Sequence, residues 1–126
     1  MEPLVKIGIC ELAAAALSGW AMVVTVERPD WFRQLGVRHL HRIRQAHLDA
    51  IFMGLILVAI GLAVQPTPTW IAVLLVGGAI LQPLLFLPLA VSSEAQGTLP
   101  YQALAGTFFV GSSVAWVALV IEILGR

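Results

Sequence analysis

Four long apolar stretches dominate the chain, and the polar stretches between them carry most of its charged residues. The apolar stretches cover about residues 4–26, 46–64, 70–91 and 101–124. The hydrocarbon core of a bilayer is about 30 Å thick, and roughly 20 helical residues cross it. Only a helix pairs all the backbone polar groups of a single segment in lipid. The pattern therefore predicts an all-α integral membrane protein with four helices in one domain, residues 1–126.

The connections between these helices predict how the helices pack. Residues 65–69 and 92–100 form short polar connections, and short connections favour antiparallel neighbours. Trp31, Trp70 and Tyr101 lie near helix ends, where aromatic rings favour the membrane interface. We therefore expect an antiparallel four-helix bundle in contact with membrane lipid.

Composition agrees with a membrane protein and excludes several functions. Hydrophobic residues make up 60% of the chain and charged residues 11%, too few charges to cover a soluble surface. Because the formal net charge is zero, nothing in the charge favours nucleic acid as a partner. The single cysteine, Cys10, excludes an intrachain disulfide. Glu2 and Lys6 precede a long apolar run containing Glu11, which indicates a retained helix instead of a secretory signal.

The basic residues predict the orientation. Five of the seven lie between the first and second helices: Arg28, Arg33, Arg38, Arg42 and Arg44. The positive-inside rule places residues 27–45 in the cytoplasm and both termini outside, as expected for a bacterial inner membrane. This basic segment is either an interfacial helix on anionic headgroups or an extension of the second helix beyond the bilayer.

Ionisable residues inside the apolar stretches are the first candidates for function, because polar groups in lipid are costly. Glu11 is either an interfacial carboxylate paired with Lys6 or a loop arginine, or a proton donor or acceptor in a cavity. His47 is either an interfacial histidine or a ligand for a metal or haem through one neutral ring nitrogen. Asp49 could pair with an arginine, relay protons or orient a histidine. Residues two positions apart on a helix are rotated by about 200° around its axis, so His47 and Asp49 point to different faces.

Other polar positions are weaker candidates. His39 and His41 are two residues apart, show no zinc spacing and are typical of solvated interface histidines. Pro83 and Pro88 allow a kink in the third helix, and Gln82 beside them could hydrogen-bond a helix or a ligand. Glycines and serines of the second and fourth helices favour close packing.

Residues 44–54, Arg-Gln-Ala-His-Leu-Asp-Ala-Ile-Phe-Met-Gly, resemble the start of the second helix in styrene oxide isomerase and hydroxylaminobenzene mutase. Those families carry an Ala-His pair with a Gly seven residues after the His, matched here by Ala46, His47 and Gly54. The mutases also have an acidic residue two positions after the His, matched by Asp49. The remainder of the chain is similar in having four short hydrophobic helices.

The resemblance implies a trimer that holds haem b near its subunit interfaces, with His47 as the axial ligand. The opposite axial position would stay open, and ferric haem would act as a Lewis acid on a substrate oxygen. The implied reactions rearrange an aryl epoxide to an aldehyde, or rearrange an arylhydroxylamine. Such a small hydrophobic substrate would partition into the bilayer and enter sideways.

This sequence differs from the two families at two places that concern substrate binding. Met53 stands where both families have an Asn. The isomerase also has an Asp, an Asn and a Tyr on its third helix, and in residues 81–88 only Gln82 could replace them. The pocket is therefore more apolar, or the activity differs or is absent.

These observations give a leading hypothesis and two rivals. The leading hypothesis is a haem b isomerase in which Asp49 and Glu11 handle protons or support the ligand and Gln82 contacts substrate. Arg42 and Arg44, nearest in sequence to His47, would pair with the haem propionates. The rivals are a non-enzymatic membrane subunit or assembly partner, and a proton-coupled transporter component that uses Glu11 and Asp49.

Overall fold

The computed structural model describes all residues, Met1–Arg126, and contains helices but no strand. Four segments are long and apolar enough to cross a membrane. The elements in chain order are α1 (Pro3–Glu27), α2 (Pro29–Gln34), α3 (Leu40–Ala63), α4 (Thr69–Leu84), α5 (Phe86–Val91), a 310 helix (Ser93–Gly97) and α6 (Leu99–Leu124). The predicted all-α, four-helix membrane fold is confirmed.

The long helices pack in chain order, each antiparallel to the helix before it. α1 packs along α3, α3 packs against α4 and α5, and α4 packs against α6. By contrast, α1 and α4 scarcely touch, although both pack against α3. A space therefore remains between α1 and α4 on one side of α3.

The interior is small and wholly apolar. Only 18 of the 126 residues are buried, and none of these is polar or charged. The core consists of α3 side chains such as Leu57 against Ile71 and Leu75 of α4, and Ala115 of α6. Large apolar side chains cover the outside of the helices, so the chain needs lipid or other apolar surface around it.

Glycine allows α1 and α3 to approach closely. A Cβ atom added to Gly8 would lie 2.8 Å from the Gly54 carbonyl oxygen and 2.9 Å from the Val58 backbone nitrogen. A Cβ added to Gly61 would lie 2.9 Å from the Val5 backbone nitrogen. Such close backbone approach is the usual role of small residues between membrane helices, as predicted for the glycine stripe of the second helix.

The basic segment is partly helical. α2 covers Pro29–Gln34, and α3 begins at Leu40, before the predicted start near residue 46. The backbone N–H groups of Arg38 and His39 both donate to the Ala90 carbonyl oxygen at 2.9 Å, which fixes the start of α3 against the end of α5. The segment therefore contains a short separate helix and an N-terminal extension of the second long helix.

The third membrane segment is not one continuous helix. α4 ends at Leu84 and α5 begins at Phe86, with Pro83 in the last turn of α4. Pro88 lacks the N–H that would donate to the Leu84 carbonyl oxygen four residues before it, so the hydrogen-bond ladder is interrupted at the break. The Tyr101 hydroxyl donates to the Leu85 carbonyl oxygen at 2.9 Å and so satisfies an acceptor at the break.

Both termini lie at the same end of the bundle. The Arg126 guanidinium donates to the carbonyl oxygens of Gln65 and Pro66 in the turn between α3 and α4. Residues 28–39 and the 310 helix lie at the other end, as the contact with Ala90 requires. The chain therefore separates its arginine-rich segment from its termini by the full length of the helices.

Candidate functional site

A cavity of about 630 Å³ occupies the space between α1 and α4. Its walls come from α1, the first half of α3 and the end of α4 with α5, and Phe32 of α2 also lines it. Thirteen of its 18 lining residues are hydrophobic. Small-molecule sites are typically cavities of about 300–1,000 Å³ with mostly apolar walls and a few polar groups.

His47 is one of those polar groups, and a neighbouring helix holds its ring. His47 Nδ1 lies 2.7 Å from Ser18 Oγ on α1. The Ser18 hydroxyl donates to the Ala15 carbonyl oxygen at 2.6 Å. Because this uses the only hydroxyl proton, we assign Ser18 Oγ as acceptor of the Nδ1–H. The lone pair is then on His47 Nε2, which has no hydrogen-bond partner in the protein.

The pair lies well inside the bundle. Ala15 is the middle residue of α1, and Ser18 lies three residues beyond it, about 4.5 Å along the helix axis. His47 is therefore deeper than a second helix starting near residue 46 would place it. Its helix continues for seven residues on the N-terminal side.

Small side chains leave room around the imidazole. Ala14, Ala21, Ala46 and Ala50 all line the cavity. A Cβ atom added to Gly19 would come within 3.8 Å of His47 Cε1, so a larger residue there would crowd the ring. Walls of this kind can accept a broad, flat apolar group beside the histidine.

Glu11 is the second ionisable group in the cavity wall. Both of its carboxylate oxygens are buried, and neither has a hydrogen-bond partner. The only two ion pairs of the chain are Arg33 with Asp30 and Arg126 with Glu122. The interpretation of Glu11 as an interfacial carboxylate paired with Lys6 or an arginine is therefore wrong for this structure, because Glu11 points into the bundle.

Asp49 lies near the cavity but does not line it. Its Oδ2 atom is buried without a hydrogen-bond partner. As the 200° rotation predicts, His47 faces α1 and the cavity while Asp49 faces another direction. Asp49 therefore cannot hydrogen-bond His47, and the group that orients His47 is Ser18.

The other predicted site residues do not line the cavity. Arg42 donates from Nη1 to Gln45 Oε1 at 3.0 Å, and Arg44 is exposed without a partner. Gln82 is also exposed, because its neighbours Pro83 and Leu84 occupy the cavity face of α4. The structure thus brings together His47 and Glu11, and leaves Arg42, Arg44 and Gln82 outside.

The remaining histidines form no metal site. The rings of His39 and His41 pack edge to face, 6.0 Å apart, outside the cavity. No group of three or more His, Cys, Asp or Glu side chains is arranged to hold a metal ion. A porphyrin is different, because it supplies four nitrogen ligands and needs only one from the protein.

Ser18 was not predicted from the sequence. It is the only hydroxyl residue among positions 3–24, which is the one signal that could have singled it out. Phe32, Cys10 and Lys6 were likewise not assigned to the cavity. Comparison with protein-family models, curated proteins and solved structures finds no match to this chain. The chemistry of the cavity is therefore the guide to function.

Proposed function

We propose that this chain is a membrane-embedded, haem b-binding protein that isomerises a small hydrophobic molecule. One observation carries the proposal: His47 Nδ1 lies 2.7 Å from Ser18 Oγ, whose hydroxyl donates to Ala15, beside a largely apolar cavity. With Nδ1–H assigned as the donor to Ser18, the Nε2 lone pair is free. Metal-bound histidines almost always donate their second ring nitrogen to a fixed acceptor, which sets the tautomer and the ring orientation.

The residues present fit a haem. One imidazole suffices as the protein ligand, and the alanines beside His47 leave space for a flat ring system. Arg42 and Arg44 lie five and three residues before His47 on α3, about 7.5 and 4.5 Å along the axis. Both are nearest in sequence to His47, and guanidinium groups form charge-assisted hydrogen bonds with carboxylates, so we propose that they would pair with the haem propionates.

When bound, ferric haem supplies a Lewis acid that polarises an oxygen atom of the substrate. The chain's own groups do the rest. His47 would ligate the iron through Nε2, the apolar walls exclude water, and Glu11 can hold or return a proton at a carboxylate oxygen. Asp49 adds negative charge nearby. The reaction class is an intramolecular rearrangement of an aryl epoxide or an arylhydroxylamine, in which no atom is gained or lost.

The open fold supports a lateral route for the substrate. The gap between α1 and α4 offers a hydrophobic substrate a route in from the lipid. We propose a homo-oligomer, a trimer by resemblance, in which the exposed Gln82 would reach a substrate only across a subunit interface. The arginine-rich end would face the cytoplasm of a bacterial inner membrane, with the termini outside.

The test is the ultraviolet-visible spectrum of protein purified in mild detergent from a haem-sufficient host. We expect a Soret band whose intensity corresponds to one haem per chain. A protein that stays colourless after haem supplementation contradicts the proposal and favours a non-enzymatic subunit. If that colourless protein conducts protons in liposomes and Glu11→Gln abolishes the flux, it is a transporter component.

Ser18→Ala tests the support of the ligand. Loss of the Nδ1–H acceptor leaves the ring free to rotate, so we expect haem affinity to fall about 10–100-fold with the Soret band retained at saturation. Titration of the purified variant with haem measures this change.

Ser113→Ala is the matched control, because that hydroxyl is exposed and bonds only to the Phe109 carbonyl oxygen of its own helix. Equal haem affinity in the two variants would show that Ser18 does not support the ligand.

A further inference from the structure

The carboxylate of Glu11 remains without a partner in the cavity wall. Both oxygens are buried, with neither a hydrogen bond nor an ion pair. Carboxylates in an apolar setting are costly unless a proton or a cation neutralises them. Something outside the chain must therefore neutralise Glu11 whenever it is charged.

The depth of Glu11 limits what can reach it. It lies four residues from Ala15, the middle of α1, which is about 6 Å along the axis. Lipid headgroups lie at the ends of a membrane helix, beyond the hydrocarbon core of about 30 Å. The headgroup amine of a lipid is therefore too far away, and a ligand must come to Glu11 through the cavity.

The neighbours of Glu11 indicate the chemistry of that ligand. Hard metal cations require six or more oxygen ligands, and no such cluster is present. The walls facing Glu11 are mostly apolar, including Ile7 and Ala14 on α1 and Ala50 on α3. Asp49, on the adjacent helix, adds a second buried carboxylate oxygen without a partner. A cation that carries its own apolar surface satisfies both the charge and the walls.

We propose that the Glu11 half of the cavity is a binding site for a small lipophilic organic cation, such as an aromatic ammonium or phosphonium ion. The cation and a proton compete for the same carboxylate. The site lies about 10.5 Å along α1 from Ser18, in the same cavity as His47.

Competition with a proton gives the site a pH dependence. Protonation removes the charge that the cation needs, so affinity is highest at high pH and falls as pH is lowered. The other titratable groups near Glu11 are Lys6 and Cys10 on α1, and His47 and Asp49 on α3. The wall from α4 and α5 contributes none, since Ile80, Pro83, Leu84 and Leu87 are all uncharged.

Equilibrium binding of radiolabelled tetraphenylphosphonium to the protein as purified in detergent tests this site. We expect saturable binding that is weaker at about pH 5 than at about pH 8. Glu11→Gln keeps the shape of the side chain but not its charge, and should weaken binding at least about ten-fold and remove most of the pH dependence. The pH profiles of wild type and Glu11→Gln are compared directly, so that the pH dependence due to Glu11 is separated from that of the other groups.

Glu122→Gln is the matched control, because this glutamate pairs with Arg126 outside the cavity, and it should bind as the wild type does. Triphenylphosphine oxide, a neutral molecule of similar shape, should not compete. Size-exclusion profiles establish that each variant is folded. Wild-type affinity in folded Glu11→Gln, or equal competition by the neutral compound, overturns the proposal whatever the haem content.

Discussion

Replacing His47 with alanine is expected to remove the Soret band of the purified protein completely. His47 Nε2 is the only nitrogen lone pair that the cavity wall offers, since the other lining nitrogen, on Lys6, belongs to an ammonium group. The Cys10 thiol and the Met22 thioether also line the cavity, and both kinds of sulfur can ligate haem iron. Complete loss of the band in His47→Ala therefore assigns the ligand to His47 and not to either sulfur atom. The measurement is the absorption spectrum of the variant after haem supplementation, at equal protein concentration.

His39→Ala and His41→Ala are the controls for this change, because neither histidine lines the cavity. Both variants should keep the wild-type spectrum. Added imidazole should restore part of the band in the His47→Ala protein by entering the space of the lost side chain. A full Soret band in His47→Ala, or its loss in either control, would show that the iron ligand lies elsewhere.

Gly8→Leu should destabilise the bundle strongly. Even a Cβ atom at Gly8 would contact backbone atoms of Gly54 and Val58 at under 3 Å, and backbone cannot move aside as a flexible side chain can. Overpacking typically costs about 1–3 kcal/mol, and the extra atoms of leucine place this site at the upper end. The free energy of unfolding in mixed detergent micelles with dodecyl sulfate measures the loss.

Gly106→Leu controls for the chemistry of the substitution. Gly106 lies within α6, and no atom lies within 4 Å of an added Cβ. Leucine there should leave stability unchanged or raise it slightly, because glycine is the poorer helix former by nearly 1 kcal/mol. Similar unfolding free energies for the two variants would mean that α1 and α3 are not held by glycine contact.

The helices could be predicted because lipid imposes a length and an apolar composition on each segment. Their ends were harder to predict, since they depend on contacts between segments. α3 begins at Leu40 because the chain before it is tied to Ala90, a residue about fifty positions away. The break at Leu85 was foreseeable only as a possible kink, because prolines within membrane helices do not always interrupt them.

The candidate site was predictable in part. His47 was singled out by a short resemblance, and Glu11 by the cost of a carboxylate in lipid. Ser18 was missed because its importance comes from facing His47 across two helices, and no pattern within α1 reveals the partner. The sequence suggested Gln82 as a substrate contact only because it is polar. In the structure Gln82 lies outside the cavity, and the neighbouring Pro83 lines the wall.

Phe32 gives the two ends of the cavity different linings. Its helix, α2, has only six residues, none of them buried, and its N-cap makes no side-chain hydrogen bond. Phe32 is one aromatic ring on a short, exposed segment at the arginine-rich end. Lys6, also in the cavity wall, lies near the N-terminal end of α1, a long helix packed closely against α3 through glycine. The two ends of the cavity therefore differ both in chemistry and in how firmly their lining residues are held.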